Sequence, residues 1–346
     1  MKTVFLSMLA IAALAGCTRQ EFVDPPAPKG DEMVVELTIS SGSLSSKAGT
    51  VATPADNTKD KAISDLTVFG VSQAGAIVTK TYFGTPADGT NSGTKTVDFR
   101  TTDQTTEIHV IANIGSDLTT GENALNVSSF KDFKNAKVAL LVPGSGAAKQ
   151  TEGNVLMSGF TTSIKGNVGV DEAVTADVSL NFIASKIILK SMTRAAGSKG
   201  TYGTNFNFVG AMLTNVQTNA YYFGDGNPLS YIGEIAGGVR TAIKKNFVSG
   251  AATAAAGKVT EFYQDLSQTA NFDDTHSLSD IAYWYVFEND EIVGTETHPT
   301  ALQIQYKWKE HDADPTLTKD KYLSIIFGND QIPAIEAGKV YSITLK

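Results

Sequence analysis

The chain has 346 residues, which is enough for two domains of ordinary size. Its formal net charge is −8 and no basic cluster occurs, so we expect no nucleic-acid partner. A single cysteine excludes an intramolecular disulfide, and the core must therefore be held together by burial alone.

Residues 1–17 predict a secretory signal. Lys2 precedes a twelve-residue apolar run from Val4 to Ala15, which is too short for a transmembrane helix of about 20 residues. The run closes with Leu14-Ala15-Gly16-Cys17, the pattern of a bacterial lipoprotein signal, in which the cysteine takes a diacylglycerol and becomes the first mature residue. An ordinary signal peptide with an incidental cysteine is the alternative. Because no later apolar run approaches membrane-spanning length, we expect any membrane attachment to depend on acyl chains at Cys17. Stable anchoring needs more than one such chain.

A tether and a first strand follow the signal. Residues 18–32 predict an extended tether, because Asp24-Pro25-Pro26-Ala27-Pro28 cannot hold a helix. Residues 33–40 alternate with a period of two, which predicts a half-buried strand. Its apolar face consists of Met33, Val35, Leu37 and Ile39. The polar, small-residue stretch from 40 to about 60 predicts an exposed loop that proteases can cut.

Strand patterns then recur as far as the C terminus. The candidate strands are residues 66–72, 76–83, 96–99, 107–113, 138–142, 155–160, 206–216, 220–223, 281–287, 302–309, 322–327 and 339–346. Residues 178–192 are either a long strand pair or one bent strand. Residues 124–136 have rough helical spacing, and residues 249–257 are either a loop or a short helix. Many short strands with few helices predict a mainly all-β fold of antiparallel β-sandwiches. A boundary near 179–199 gives an N-terminal domain of residues 33–185 and a C-terminal domain of residues 186–346.

Residues suited to catalysis or metal binding are scarce. The four histidines are well separated: His109, His276, His298 and His311. The mid-strand position of His109 indicates a structural residue, and the acidic turn around His311 lacks the calcium-loop pattern. No nucleophile elbow, P-loop or zinc-protease motif occurs. We therefore expect no catalytic residue, no metal site, no cofactor and no enzymatic activity.

Several short motifs resemble one family when they are taken together and in order. Behind the lipobox at Cys17 these are Leu66–Val71 (LTVFGV), Val110–Asn113 (VIAN), Leu156–Gly159 (LMSG) and Ala184–Ile187 (ASKI). From about residue 33 to the terminal Gly338–Leu345, the chain is similar to the fimbrillins of Bacteroidetes type V pili, of the FimA type. The resemblance implies two tandem transthyretin-like Greek-key β-sandwich domains. It also implies export as a lipidated precursor, cleavage by a trypsin-like protease at an Arg or Lys after the first strand, and assembly by strand exchange.

The residues supply parts for such an assembly. Lys47 is the candidate cleavage site, because it is the first basic residue after strand 33–40 and the next is Lys59. Family members often have Arg at this place, so the lysine leaves the identity of the protease open. Removal of the first strand would expose an unpaired sheet edge, which is a template for another strand. The C-terminal segment alternates in the same way, with Tyr341, Ile343 and Leu345 on one face. Alternatively, residues 33–40 and 340–345 are two strands of one ordinary sandwich.

The expected function is therefore that of a structural pilin. The plain two-domain length favours a shaft subunit of a cell-surface fimbria that supports adhesion and biofilm formation. Its partners would be further copies of itself and related pilins, outer-membrane lipid before processing, and the processing protease. An anchor or tip subunit that keeps its lipid is one alternative. A glycan-binding surface lipoprotein is another, since the aromatic residues at 283–285 and 306–308 would suit a sugar platform, although strand aromatics more often belong to the core.

Overall fold

The structure is a computed structural model, and it describes fourteen segments of the chain. They are residues 30–42, 45–46, 59–84, 92–120, 137–139, 153–166, 173–192, 206–217, 219–223, 231–232, 262–266, 278–294, 297–309 and 318–345. The signal peptide with Cys17, most of the tether, Lys47 and the helical candidate at 124–136 lie outside these residues.

Within the described segments the chain is almost entirely β-structure, which confirms the mainly all-β fold class. The strands of the first half are β1 (Glu32–Ser41), β2 (Ser45–Ser46), β3 (Leu66–Ser72), β4 (Ile77–Phe83), β5 (Thr94–Thr102), β6 (Thr105–Ala112), β7 (Lys137–Ala139), β8 (Met157–Thr161), β9 (Ile164–Lys165) and β10 (Val174–Phe182). Those of the second half are β11 (Ala184–Met192), β12 (Phe206–Thr214), β13 (Val216–Gln217), β14 (Asn219–Tyr221), β15 (Tyr231–Ile232), β16 (Tyr263–Asp265), β17 (Leu278–Phe287), β18 (Ala301–Lys309), β19 (Thr318–Ile326) and β20 (Lys339–Leu345). A short 3-10 turn spans Lys59–Lys61.

The first sheet has the strand order β4-β3-β6-β8-β10-β1-β5, with β9 also paired to β10. Strand β10 connects two parts of this sheet, the strands β4-β3-β6-β8 on one side and β1-β5 on the other. Its residues 174–180 pair in parallel with β1, whereas Asn181 and Phe182 pair with β8 in the antiparallel sense. The side chains between the two parts, among them Phe69, Phe99 and Ile111, are fully buried. The sheet thus folds at β10 around a shared apolar core.

The second half of the chain builds two four-stranded sheets. One has the order β17-β11-β20-β2 and the other β16-β12-β18-β19. The first of them contains a parallel pair, β11 with β20, in which Ile187 lies opposite Tyr341. β2 is the exception in chain order, because it lies in sequence between β1 and β3 of the first sheet but pairs with the last strand.

Contacts at several places join the halves of the molecule. Besides the pairing of β2 with β20, strand β7 pairs with β14 in a small antiparallel sheet. Asp60, on the 3-10 turn, is 1% exposed and forms a 3.1 Å ion pair with Lys186 of β11. The other carboxylate oxygen of Asp60 accepts a hydrogen bond from the Tyr285 hydroxyl of β17. Side chains of the second half thus supply both an ion pair and a hydrogen bond to the buried Asp60 carboxylate. Such partners offset the free-energy cost of burying its charge.

One sequence expectation is wrong in detail. The stretch from 40 to about 60 is expected to be an exposed loop, but it contains β2 and ends at the buried Asp60. The partners of β2 and Asp60 are distant in sequence, and a local pattern does not carry that information. Residues 178–192, for which the pattern allows a strand pair or a bent strand, form the pair β10 and β11, and these two strands belong to different sheets.

Candidate functional site

The candidate site is the position of β1 in the first sheet. One face of this strand is buried, with Val35, Leu37 and Ile39 at 0% exposure and Met33 at 8%. On the opposite face Val34 is 46% exposed. Burial of such side chains stabilises the folded chain by roughly 1.5–3 kcal/mol each. The structure thus places the whole predicted apolar face of the first strand inside the core.

Strand β1 is an interior strand, with a neighbour on each side. It is antiparallel to β5, where Val35 lies opposite Phe99, and parallel to β10, where Ile39 lies opposite Val178. Both opposing residues are at most 1% exposed. If β1 were absent, β5 and β10 would each present unpaired N–H and C=O groups along the walls of an apolar groove, a strong template for an incoming strand.

Both ends of β1 are fixed by hydrogen bonds to the strand connections beside it. At the start, Asp103 N donates to Asp31 O over 3.0 Å, and Asp31 N donates to the Asp103 carboxylate over 3.1 Å. At the end, Ser41 N donates to Gly93 O over 2.8 Å. Gly42 then passes so close to β10 that a Cβ there would lie 2.5 Å from Leu180 O. Only glycine fits at this crossing without a backbone shift.

The predicted donor residues lie in the other half of the molecule, on β20. Tyr341 is 3% exposed, and its ring meets Phe327 edge to face at 5.4 Å between centroids. Ile343 and Leu345 are partly buried and pack against the same core. β1 and β20 belong to different sheets.

The start of β20 is held more firmly than its end. The Tyr341 hydroxyl donates to Ala334 O over 2.6 Å and accepts a hydrogen bond from Glu336 N at 2.8 Å. Gly338 N donates to Ala184 O over 3.1 Å. Burial, reinforced by the charge of Glu288, raises the pKa of Tyr341 well above its ordinary value, so the hydroxyl keeps its proton as a donor. By contrast, Thr344 near the C-terminal end is exposed.

A second buried ionisable group, His109 of β6, lies beside the second half. Its ring stacks on Phe160 at 5.1 Å and meets Phe223 edge to face at 5.2 Å. Its Nε2 lies 3.0 Å from the Glu107 carboxylate. Burial lowers the pKa of His109, and the Glu107 hydrogen bond opposes that shift. The side chain is 0% exposed, which fits the structural role expected from its position in a strand.

The aromatic residues that suggested a sugar platform are mostly packed inside. Trp284 is 5% exposed and its indole N–H donates to Phe262 O over 2.9 Å. Tyr285 is 6% exposed and donates to Asp60. Tyr283 is 40% exposed, but the Lys186 ammonium lies 4.9 Å from its ring centre. These positions argue against an aromatic binding face on β17.

Within the described segments, no cluster of three or more histidine, cysteine or acidic side chains is arranged to hold a metal ion. None of the helices in that part of the chain has the length and apolar character needed to cross a bilayer.

Comparison with solved structures finds a similar fold in a fimbrilin and in proposed cell adhesion proteins of Bacteroidetes. A proposed cell adhesion protein from Bacteroides eggerthii aligns with a TM-score of 0.59 at 22% identity, over 92% of this chain and 87% of its own. The fimbrilin FimA from Porphyromonas gingivalis W83 aligns with a TM-score of 0.52 at 13% identity, over 91% of this chain and 98% of its own. A proposed cell adhesion protein from Parabacteroides distasonis aligns with a TM-score of 0.52 at 17% identity, over 91% and 87%. No family model matches the chain, and no curated protein matches it.

The chain has the fimbrilin fold. Within that fold the structure brings the four apolar residues of the first strand together and places Tyr341, Ile343 and Leu345 in a separate sheet of the same molecule. Cys17 and Lys47 lie outside the described residues. Sequence reasoning missed Asp60 and the pairing of β2, because neither a lone aspartate nor two serines form a pattern.

Proposed function

We propose that the chain is a shaft subunit of a cell-surface fimbria. It is exported as a precursor lipidated at Cys17, attached to the outer membrane, and cut after Lys47 by a trypsin-like protease. Loss of β1 opens the groove between β5 and β10, and β20 of another copy fills it. The observation that supports this most directly is the burial of β1 as an interior strand of the first sheet. In sequence, β1 ends only six residues before the candidate cleavage site at Lys47.

The apolar pattern of β20 supports its role as the replacement strand. Tyr341, Ile343 and Leu345 alternate with Ser342 and Thr344. Strand β1 alternates likewise, with Glu36 and Thr38 between its apolar residues. Because the side-chain period of a strand is two, β20 can present apolar groups to the groove and polar groups to water in the same orientation as β1. Repetition of this head-to-tail contact builds an open filament.

Comparison with FimA and the adhesion proteins supports a structural role over a catalytic one. The buried positions of Trp284 and Tyr285 leave the glycan-binding alternative without a platform on β17. An anchor or tip subunit would keep Cys17 at its mature N terminus. A shaft subunit begins at Ala48, and Edman or mass-spectrometric analysis of the protein from cells separates the two.

A reversible lock on β20 tests strand exchange. Ser191 Oγ lies 3.3 Å from Thr344 Oγ1, on register partners of β11 and β20. A Ser191→Cys/Thr344→Cys pair is therefore close enough for a disulfide. The trimmed, oxidised variant should remain monomeric, and reduction should produce a ladder of SDS-resistant multimers.

The matched control is Gln303→Cys/Ser324→Cys, which joins β18 to β19 at register partners in the same half and leaves β20 free. This variant should form multimers whether oxidised or reduced. Multimers of the oxidised Ser191→Cys/Thr344→Cys protein at the control's rate would overturn the proposal.

A further inference from the structure

Strand β2 covers the outer edge of β20. Ser45 pairs with Lys339 and Ser46 with Val340 in the parallel sense, and β2 is the last strand of the order β17-β11-β20-β2. Residues 42–44 alone separate β2 from β1 in sequence. The same short segment therefore fills the groove of the first sheet and pairs with the last strand of the chain.

The pairing lies at the end of β20 that is most firmly held. On the inner side, Gly338 N donates to Ala184 O and Lys339 N donates to Ser185 Oγ over 3.4 Å. On the outer side, β2 pairs with residues 339 and 340. With β2 in place the start of β20 has a strand on each side. Without it, β20 would become an edge strand of the described sheet, held by β11 alone.

We propose that β2 is a latch that keeps β20 in its own sheet until the precursor is cut. This inference rests on the proposed function, because it concerns how the donor strand is controlled. A cut beyond Ser46 removes β1 and β2 together, so one cleavage opens the acceptor groove and releases the donor strand. A cut within residues 42–44 would remove β1 alone and leave the donor latched.

The latch would keep uncut precursors from donating to open grooves. In a mixture of cut and uncut subunits, an unlatched precursor would add its β20 to a growing end while its own groove stayed closed, and growth would stop there. Because β20 of the precursor is paired on both edges at its start, such chain termination is suppressed.

The test separates donation from acceptance. The acceptor is trimmed protein with the oxidised Ser191→Cys/Thr344→Cys lock, which has an open groove and cannot donate. The donor is full-length uncut protein with Cys17→Ser, whose groove is filled by β1. An SDS-resistant heterodimer then reports only on the release of β20 from the uncut donor.

The donor variants change the backbone pairing of β2. Ser45→Pro/Ser46→Pro removes both N–H groups and should increase the rate of heterodimer formation at least tenfold over the uncut wild-type donor. Ser45→Ala/Ser46→Ala keeps the N–H groups and should match wild type, because the pairing involves the backbone. Hydrogen exchange of residues 341–345 should rise in the proline variant, while that of β1 stays unchanged.

The outcomes distinguish this inference from the proposed function. If the uncut wild-type donor forms heterodimers as fast as the proline variant, β2 is no latch, although strand exchange stands. If trimmed wild-type protein, which lacks β1 and β2, forms no heterodimer with the locked acceptor, strand exchange through β20 itself is overturned.

Discussion

At the residue scale, Asn113 shows how the last residue of the motif Val110–Asn113 stabilises the fold. It directly follows β6 and lies in the left-handed region with a φ of 66°, which asparagine tolerates better than most residues. Its side-chain amide donates to Ala62 O and Val155 O, each over 2.8 Å. Its carbonyl accepts from Ser64 N at 2.8 Å and from Ser64 Oγ at 2.9 Å. One residue thereby ties three chain segments together beneath the first sheet.

Substitution of Asn113 should be costly for two separable reasons. Asn113→Ala leaves buried backbone groups unsatisfied and places a Cβ-bearing residue at positive φ, which should lower the free energy of unfolding by about 3 kcal/mol or more. Asn113→Gly loses the same hydrogen bonds but relieves the backbone strain, so it should be about 1 kcal/mol more stable than the alanine variant. Urea denaturation of the purified precursor measures both.

The control for Asn113 is Asn329, which accepts hydrogen bonds from Gln331 N and Ile332 N but is exposed. Asn329→Ala should cost no more than about 1 kcal/mol, because water replaces the lost partners. Equal stability of Asn113→Ala and Asn113→Gly would show that the left-handed backbone contributes nothing to the cost.

At the element scale, β1 contributes to the stability of the precursor and is absent from the proposed mature subunit. Leu37→Ala removes a side chain of 0% exposure and should destabilise the precursor by about 2–5 kcal/mol. Val34→Ala, on the face where that side chain is 46% exposed, should change stability by no more than about 0.5 kcal/mol. Thermal or urea denaturation of the uncut protein provides the comparison.

The same substitution yields a second readout after trimming. Because β1 is released by the proposed cut, polymers from the Leu37→Ala precursor should resist SDS and heat as wild-type polymers do. Weaker polymers from this variant would mean that β1 remains in the assembled subunit.

How far the elements follow from sequence depends on where their partners lie. The alternation of residues 33–40 predicted both the strand and its buried face, since a period of two is a local property. The parallel pairing of β1 with β10 was not predictable, because β10 lies more than 130 residues later and any apolar strand would satisfy the pattern equally. β2 was missed because Ser45 and Ser46 have no apolar period, and only the nearby edge of β20 makes them a strand.

At the scale of the whole molecule, the Asp60–Lys186 pair links the two halves through a buried contact. Lys186→Met should leave the Asp60 carboxylate buried without the ammonium group, at a cost of about 3–5 kcal/mol. Lys165→Met breaks the 3.7 Å pair with Asp177, whose side chains are 68% and 77% exposed, and should cost less than about 1 kcal/mol. Denaturation of both precursors tests the difference, and equal effects would mean that the buried pair does not stabilise the junction.

The contact between Asp60 and Lys186 could not be predicted from the sequence. Asp60 and Lys186 are separated by 126 positions, and each alone has the character of an ordinary surface residue. Their pairing depends on how the halves pack, which follows from the complete set of strand pairings rather than from any one segment.

The position of β1 between two strands also has a mechanical consequence for a filament. A strand that replaced β1 in the proposed filament would be hydrogen-bonded to β5 on one side and to β10 on the other. A pull along the axis of that strand would load all of these hydrogen bonds at once, in shear, instead of opening them one by one. A non-covalent joint loaded in this way would resist tension better than one whose hydrogen bonds break in succession.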